Sequence, residues 1–521
     1  MVGMNSGISR SASEFHTDLA KKSTEASTQP GSLLWPLVWA FVFFVFLWAM
    51  DFPKPFFDDL FYNGAALNLA QGGDFSNPLL ARQGFPNHFF FVYPPLHSYA
   101  VYAWLSVFGI SSVSLLAFQN LMHFIIAAAM VLILRRHNSP RIFWWLAPLG
   151  VAAVYLKPGL RPEPLAVALT MAGYVLLIYC RTAGFRCWIA FFLMFLGASA
   201  APRTAPFAAA LAAVGGWEWL RSEPGNKLIR LRFCALAGLG LAATGVVFLA
   251  LIQFRLKEFL ETFRMHSQRL GGETLVLLHR YTRELESGWM VILWLTLIVL
   301  CASIRRPVDN LRRICYCVAG VFVFLGFAGA LGHGSSWYVI FVLFLLAGHP
   351  VSRFTGMWRA MLPWTIAVLL LVANSRAFLG AFGQLTGRIE QTPPENVEAI
   401  RQMRPTAEQH LLLDNSVARY VFDYRVPAGY VNFEFAAPFP RLTAGDWKLQ
   451  DDDLYLLGPE MTLSVNGRGG CYYTIEWWNA FGFGNTHQFK NPRQVYFVPA
   501  RDLKGKATAQ TVNLSGPAIP K

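Results

Sequence analysis

Two adjacent carboxylates, Asp58 and Asp59, follow an apolar run and open a helix-like stretch, LFYNGAALNLAQ, that stops at Gly72-Gly73. Further ionisable residues gather between later apolar runs. Lys157, Arg161 and Glu163 lie in LKPGLRPEP, Arg203 in AAPRTAP and His333 in LGHGSSWY. One carboxylate with several cations suits transfer of a sugar from a lipid phosphate to a hydroxyl. A general base takes the acceptor proton. The phosphate leaves without a strong general acid, but the charge it gains needs cations or a helix N-terminus. Arg meets a phosphate bidentately and Lys meets it as a point charge.

Each residue also has a plainer use. Asp58 or Asp59 would serve as a helix N-cap. Lys157 and Arg161 would serve as interfacial anchors whose stems lie along apolar surface. Glu163 stands at a helix start, where an acid is favourable in any case. Arg203 and His333 sit in turn-like segments. His123, in mid-run, reads as a packed histidine.

The elements that must position these residues are membrane spans. The chain has 521 residues, 55% of them hydrophobic and only 14% charged, against about a quarter charged in soluble domains. A span takes about 20 apolar residues. Residues 33–50 qualify, followed by runs near 113–134, 142–156, 164–180, 187–202, 204–220, 233–254, 287–304, 314–332, 335–352 and 360–378, about eleven in all. Short loops rich in Lys and Arg mark one face: Arg135-Arg136 with Arg141, Arg181 with Arg186, Arg221 to Arg232, Arg305 to Arg313, and Arg353 with Arg359. The excess of positive charge makes that face cytoplasmic, and the polar tail 1–30 with Lys21-Lys22 falls on the same side. An odd span count puts the C-terminus outside. The net charge of +14 is a topology signal, and no nucleic-acid partner is expected.

Loops 51–112, 157–163 and 255–286 then face outward. Within the first, 58–71 and YPPLHSYAVYAWLSVFG (93–109) read as helices lying in the interface, a depth that suits the tyrosines and Trp104. Residues 255–286 read as an exposed amphipathic helix pair, with a lid over the site as the alternative. From 385 to 521 prolines and charges return. Short strand-like runs appear at 410–414, 453–458 and 494–500, after a helix-like 394–403. This stretch is expected to be an extracytoplasmic α/β domain. The seven cysteines form no disulfide or zinc pattern. No cofactor is expected; a divalent metal is compatible, though no ligand cluster demands one.

FDDLFYNGAALNLAQGGDF, then YPPLHSYAVYAWLSVFG, then a span ending in Arg-Arg, resembles the start of the membrane glycosyltransferases of GT-C fold. In pattern it is most similar to the protein O-mannosyltransferases and the lipid A aminoarabinose transferase. The family's acidic pair with a following tyrosine resembles Asp58, Asp59 and Tyr62. Its PPL interfacial helix resembles Tyr93-Pro94-Pro95-Leu96, and the start of its fourth span resembles LRPEPLAVAL. GHGSSWYVIFVL is a looser likeness to a late span. The chain departs from the pattern before the PPL helix, where Phe91-Val92-Tyr93 replace a common Glu-Lys-Pro.

The resemblance implies a GT-C domain over 31–380 and a polyprenyl-phosphate-linked sugar as donor. It implies an inverting transfer to a hydroxyl acceptor of unknown kind. The expected location is the bacterial inner membrane, because nothing resembles an ER retrieval signal; a eukaryotic ER enzyme would share the topology. Asp58 would be the base and Asp59 its support. Lys157, Arg161, Arg203 and His333 would contact the donor phosphate, with Glu163, Tyr62 and Tyr93 nearby. A transporter or flippase for a lipid-linked sugar is the alternative, opposed by the scarcity of charges within spans and the lack of a visible repeat. A membrane scaffold is a third reading.

Overall fold

The computed structural model describes residues 31–53, 58–79, 93–136, 141–155, 160–180, 184–222 and 227–270. Beyond these it describes a few residues of 364–378, Phe422 and Asp423, and six short strands after residue 410. The segments expected to span near 287–304, 314–332 and 335–352, the helix-like 394–403, and both Lys157 and His333 lie outside the described residues.

Helices dominate, and they fall where the apolar runs predict them. They are α1 (Gly31–Ala49), α2 (Asp58–Ala70), α3 (Leu96–Phe108), α4 (Ser112–Arg136), α5 (Arg141–Tyr155), α6 (Glu163–Tyr179), α7 (Phe185–Leu196), α8 (Ala205–Ser222), α9 (Lys227–Leu251) and α10 (Leu256–Leu270). Two short 3₁₀ turns, Gly197–Ser199 and Pro202–Thr204, join α7 to α8. Among the described residues, α4 and α9 are long and apolar enough to cross a bilayer by length and composition. Five shorter apolar helices accompany them.

α4 is the centre of the layer and packs against α1, α5 and α6; α7 in turn packs against α6 and α9. Close approach of α6 and α7 depends on a missing side chain. A Cβ on Gly173 would stand 2.5 Å from the carbonyl oxygen of Ala190, so the two backbones meet where only glycine fits.

The two interfacial helices differ from the rest. On α3, His97, Val101 and Leu105 recur at helical spacing on one buried face, while Val107 and Phe108 stay exposed. The Trp104 indole N–H donates to the Ser114 carbonyl at 2.8 Å, which ties α3 to the start of α4. α2 is short, and its Leu60, Ala65, Ala66 and Leu67 are wholly buried. Asn120 of α4 donates its amide to the Phe52 carbonyl at 2.8 Å and anchors the exit from α1.

The strands form two sheets. Val431–Phe433, Leu411–Leu413, Leu454–Leu457 and Tyr496–Pro499 lie in that order in one. Leu411–Leu413 is parallel to both of its neighbours, and the last pair is antiparallel. Tyr472–Thr474 pairs antiparallel with Gln488–Lys490. Parallel neighbours require crossover connections. Three of the strands coincide with the sequence-predicted runs, and the other three are additional. One point of this C-terminal part meets the helices. Asp423 accepts hydrogen bonds from the backbone N–H (2.9 Å) and the hydroxyl of Ser112, and Phe422 beside it is 1% exposed within the apolar core.

Candidate functional site

α2 begins at Asp58 and runs through LFYNGAALNLA, where burial of Leu60, Ala65, Ala66 and Leu67 offsets the weak helix propensity of Asn63, Gly64 and Asn68. Asp58 is the first helical residue. Asp59 follows it and is wholly buried. Oδ1 of its carboxylate accepts the backbone N–H of Leu160, 101 residues away. A buried carboxyl group is tolerated only where hydrogen-bond partners replace its water.

The same peptide is held from its other side. Asn63, one turn along α2 and also wholly buried, donates Nδ2–H to the Leu160 carbonyl at 3.1 Å and to the Asp59 carbonyl at 3.0 Å. Its Oδ1 lies 2.9 Å from Nε2 of His97 on α3. With both amide hydrogens used, Oδ1 is the acceptor, and His97 carries its proton on Nε2. Burial lowers the His97 pKa from the ordinary imidazole value to about 3, so the ring is neutral. Its Nδ1 is buried without a hydrogen-bond partner among the described residues.

Next to Leu160, the Arg161 guanidinium stands over the Tyr62 ring, 5.7 Å from the centroid, within cation–π range. Tyr62 in turn meets Tyr93 edge to face, with centroids 4.9 Å apart. Glu163, 1% exposed, opens α6 two residues after Arg161. Asn77 closes the far side of α2 by donating to the Leu60 carbonyl at 3.0 Å. A Cβ on Gly64 would run into that side chain.

Of the sequence-predicted residues, the structure therefore brings together Asp59, Tyr62, Tyr93 and Arg161, with Asp58 and Glu163 near them in the chain. Arg203 lies in the 3₁₀ turn Pro202–Thr204, ahead of α8. Lys157 and His333 are outside the described residues. Asn63, His97 and the Leu160 peptide are additions. Sequence reasoning passed over Asn63 as part of a helix. The available signal was its i, i+4 spacing from Asp59, which puts both on one helix face. Among the described residues, no three His, Cys, Asp or Glu side chains gather as a metal site would require.

No family model matches the chain, and no curated protein matches it. Among solved structures, the crystal structure of ArnT from Cupriavidus metallidurans bound to undecaprenyl phosphate is similar. The TM-score is 0.50 and the identity 12%, over 85% of this chain and 96% of that one. The likeness is one of fold.

Proposed function

We propose that the protein is an integral membrane glycosyltransferase. It moves a sugar from a polyprenyl-phosphate donor to a hydroxyl acceptor at the extracytoplasmic face, inverting the anomeric centre. One observation carries this reading. The Asp59–Leu160 hydrogen bond draws the helix bearing both carboxylates against the loop bearing Arg161, so that a base and a phosphate-binding cation belong to one site. The similarity in fold to a protein bound to undecaprenyl phosphate supports a lipid phosphate as the carrier.

In this reading Asp58 takes the proton of the acceptor hydroxyl. The oxygen bonds to the anomeric carbon from the side opposite the phosphate. The bond from that carbon to the phosphate oxygen breaks, and polyprenyl phosphate leaves with the electron pair. Arg161, with Lys157, Arg203 and His333 as further candidates, balances the negative charge gained by the leaving group. Asp59 ties the helix that bears Asp58 to the loop that bears Arg161, and the outer strands after residue 410 belong to an extracytoplasmic α/β domain.

The test uses membranes containing wild type or Asp58→Asn, a panel of labelled polyprenyl-phosphate sugars, and native membranes as the source of acceptor. Label transfer and release of free polyprenyl phosphate are followed together. Wild type is expected to consume one donor, and the variant to lose about 100-fold or more in rate, as removal of a general base does. Equal consumption by both would remove Asp58 from the role of base. Movement of an intact donor across the bilayer without release of polyprenyl phosphate would favour a flippase.

A further inference from the structure

A single peptide group, that of Leu160, is gripped at both ends by one face of α2. Its N–H goes to Asp59 and its C=O receives Asn63. Leu160 is 1% exposed, so neither bond competes with water. Arg161 follows immediately, and its half-buried side chain reaches back across Tyr62, which lies between the two gripping residues on the same helix. The backbone from which the guanidinium springs is thereby fixed in position.

Asn63 can grip only if its amide is turned the right way. Both carbonyls it serves, those of Asp59 and Leu160, need Nδ2 as donor. The reversed amide would set Oδ1 against two carbonyl oxygens. His97 adds to that cost: a reversed amide would turn Nδ2 toward the imidazole and force its proton onto Nδ1, which is buried without a hydrogen-bond partner among the described residues. His97 itself is set by the buried face of α3. The order of control therefore runs from α3 through the imidazole to the Asn63 amide, to the Leu160 peptide, and to Arg161.

We propose that Asn63 and His97 are positioning residues for the donor phosphate, acting through Arg161. This rests on the reading of the site as one that takes a polyprenyl phosphate. An Arg side chain gives up several rotatable bonds when it binds, and a backbone held in place beforehand lowers that cost. Phosphate is present in both the bound donor and the leaving group. Loosening Arg161 therefore weakens donor binding, which raises KM, as well as the stabilisation of the leaving group, which lowers kcat.

The experiment measures binding of polyprenyl phosphate, without a sugar, to the purified full-length protein in detergent. Wild type, Asn63→Leu, His97→Leu, His97→Gln, Arg161→Ala and the Asn63→Leu/Arg161→Ala double variant are compared, each first shown to be monodisperse. Asn63→Leu and His97→Leu are expected to weaken binding about fivefold or more, and His97→Gln, which keeps a donor at the same reach, to stay within about twofold. In the Arg161→Ala background, Asn63→Leu is expected to add nothing, since coupled residues are not additive. Unchanged affinity in Asn63→Leu, or losses that add in the double variant, would overturn the proposal. So would a wild type that does not bind polyprenyl phosphate. Binding that follows this pattern in a protein that transfers no sugar would leave the positioning role standing and remove the transferase reading.

Discussion

The two ends of the helical layer treat polar groups in opposite ways. At the end that holds Asp59, side chains are buried and bonded across long stretches of chain: Asp59 to Leu160, Asn63 to His97, and Asn120 to Phe52. At the end that holds Arg136, the thiols of Cys180 and Cys187 meet in the interior, but the bonds donated to carbonyls are exposed. Arg136 donates to the Ile178 carbonyl at 3.2 Å and the Tyr179 hydroxyl to the Leu132 carbonyl at 3.1 Å. Burying an amide or a carboxylate is costly unless every partner is in place. A fold held only by apolar packing would have little reason to bear that cost at one end alone. The difference marks the Asp59 end as the place where geometry matters, and the Arg136 end as ordinary closure of helix termini.

Four measurements would break or sharpen that contrast. The largest effect is expected for Arg161→Ala, with transfer from the lipid donor lowered about 100-fold or more and Arg161→Lys restoring part of it as a point charge. The next is Asp59→Ala, which strands the buried Leu160 N–H. Denaturant unfolding in detergent should show a loss of about 1–3 kcal/mol, with Asp59→Asn losing less because it retains an acceptor oxygen.

His97 comes third. Its imidazole titrates near 6.5 in the unfolded chain and near 3 in the folded one, so the unfolded state takes up the proton first on acidification. Its contribution is whole above about pH 6.5 and falls progressively toward pH 3. Between pH 7 and pH 5 the wild type should lose about 2 kcal/mol that His97→Gln does not lose. The smallest effect belongs to Arg136→Ala, expected within about 0.5 kcal/mol in stability and without consequence for transfer. A large effect there would erase the contrast between the ends.

Much of this arrangement was legible in the chain. Apolar length located α1 and α4 to α9, and the Pro94-Pro95 start with aromatic spacing located α3. Asp59, Tyr62, Tyr93 and Arg161 stand out in the sequence as chemistry-bearing residues, and these four do come together. What stayed hidden has a common physical character. The partner of Asp59 is a main-chain amide, and every non-proline residue offers one; nothing in the side chain of Leu160 announces it. Asn63 sits in a helix and contributes through the direction of its amide, which a residue letter does not carry. His97 looked like one more polar residue in an interfacial helix, although its spacing from Val101 and Leu105 placed it on the buried face. The strands at 431–433, 472–474 and 488–490 read VNF, YYT and QFK, without the apolar run that marks the equally short Leu411–Leu413.

The contact between Ser112 and Asp423 has a consequence for counting. Ser112 is where α4 starts, and Asp423 closes on that start with both carboxylate oxygens. A chain that threads a bilayer and still makes this contact returns to the side it left, so its crossings between the two residues are even in number. The apolar runs over that interval meet the condition. Deleting one of them would set Asp423 across the membrane from its partner, whereas deleting an adjacent pair would keep parity and allow the contact to form again.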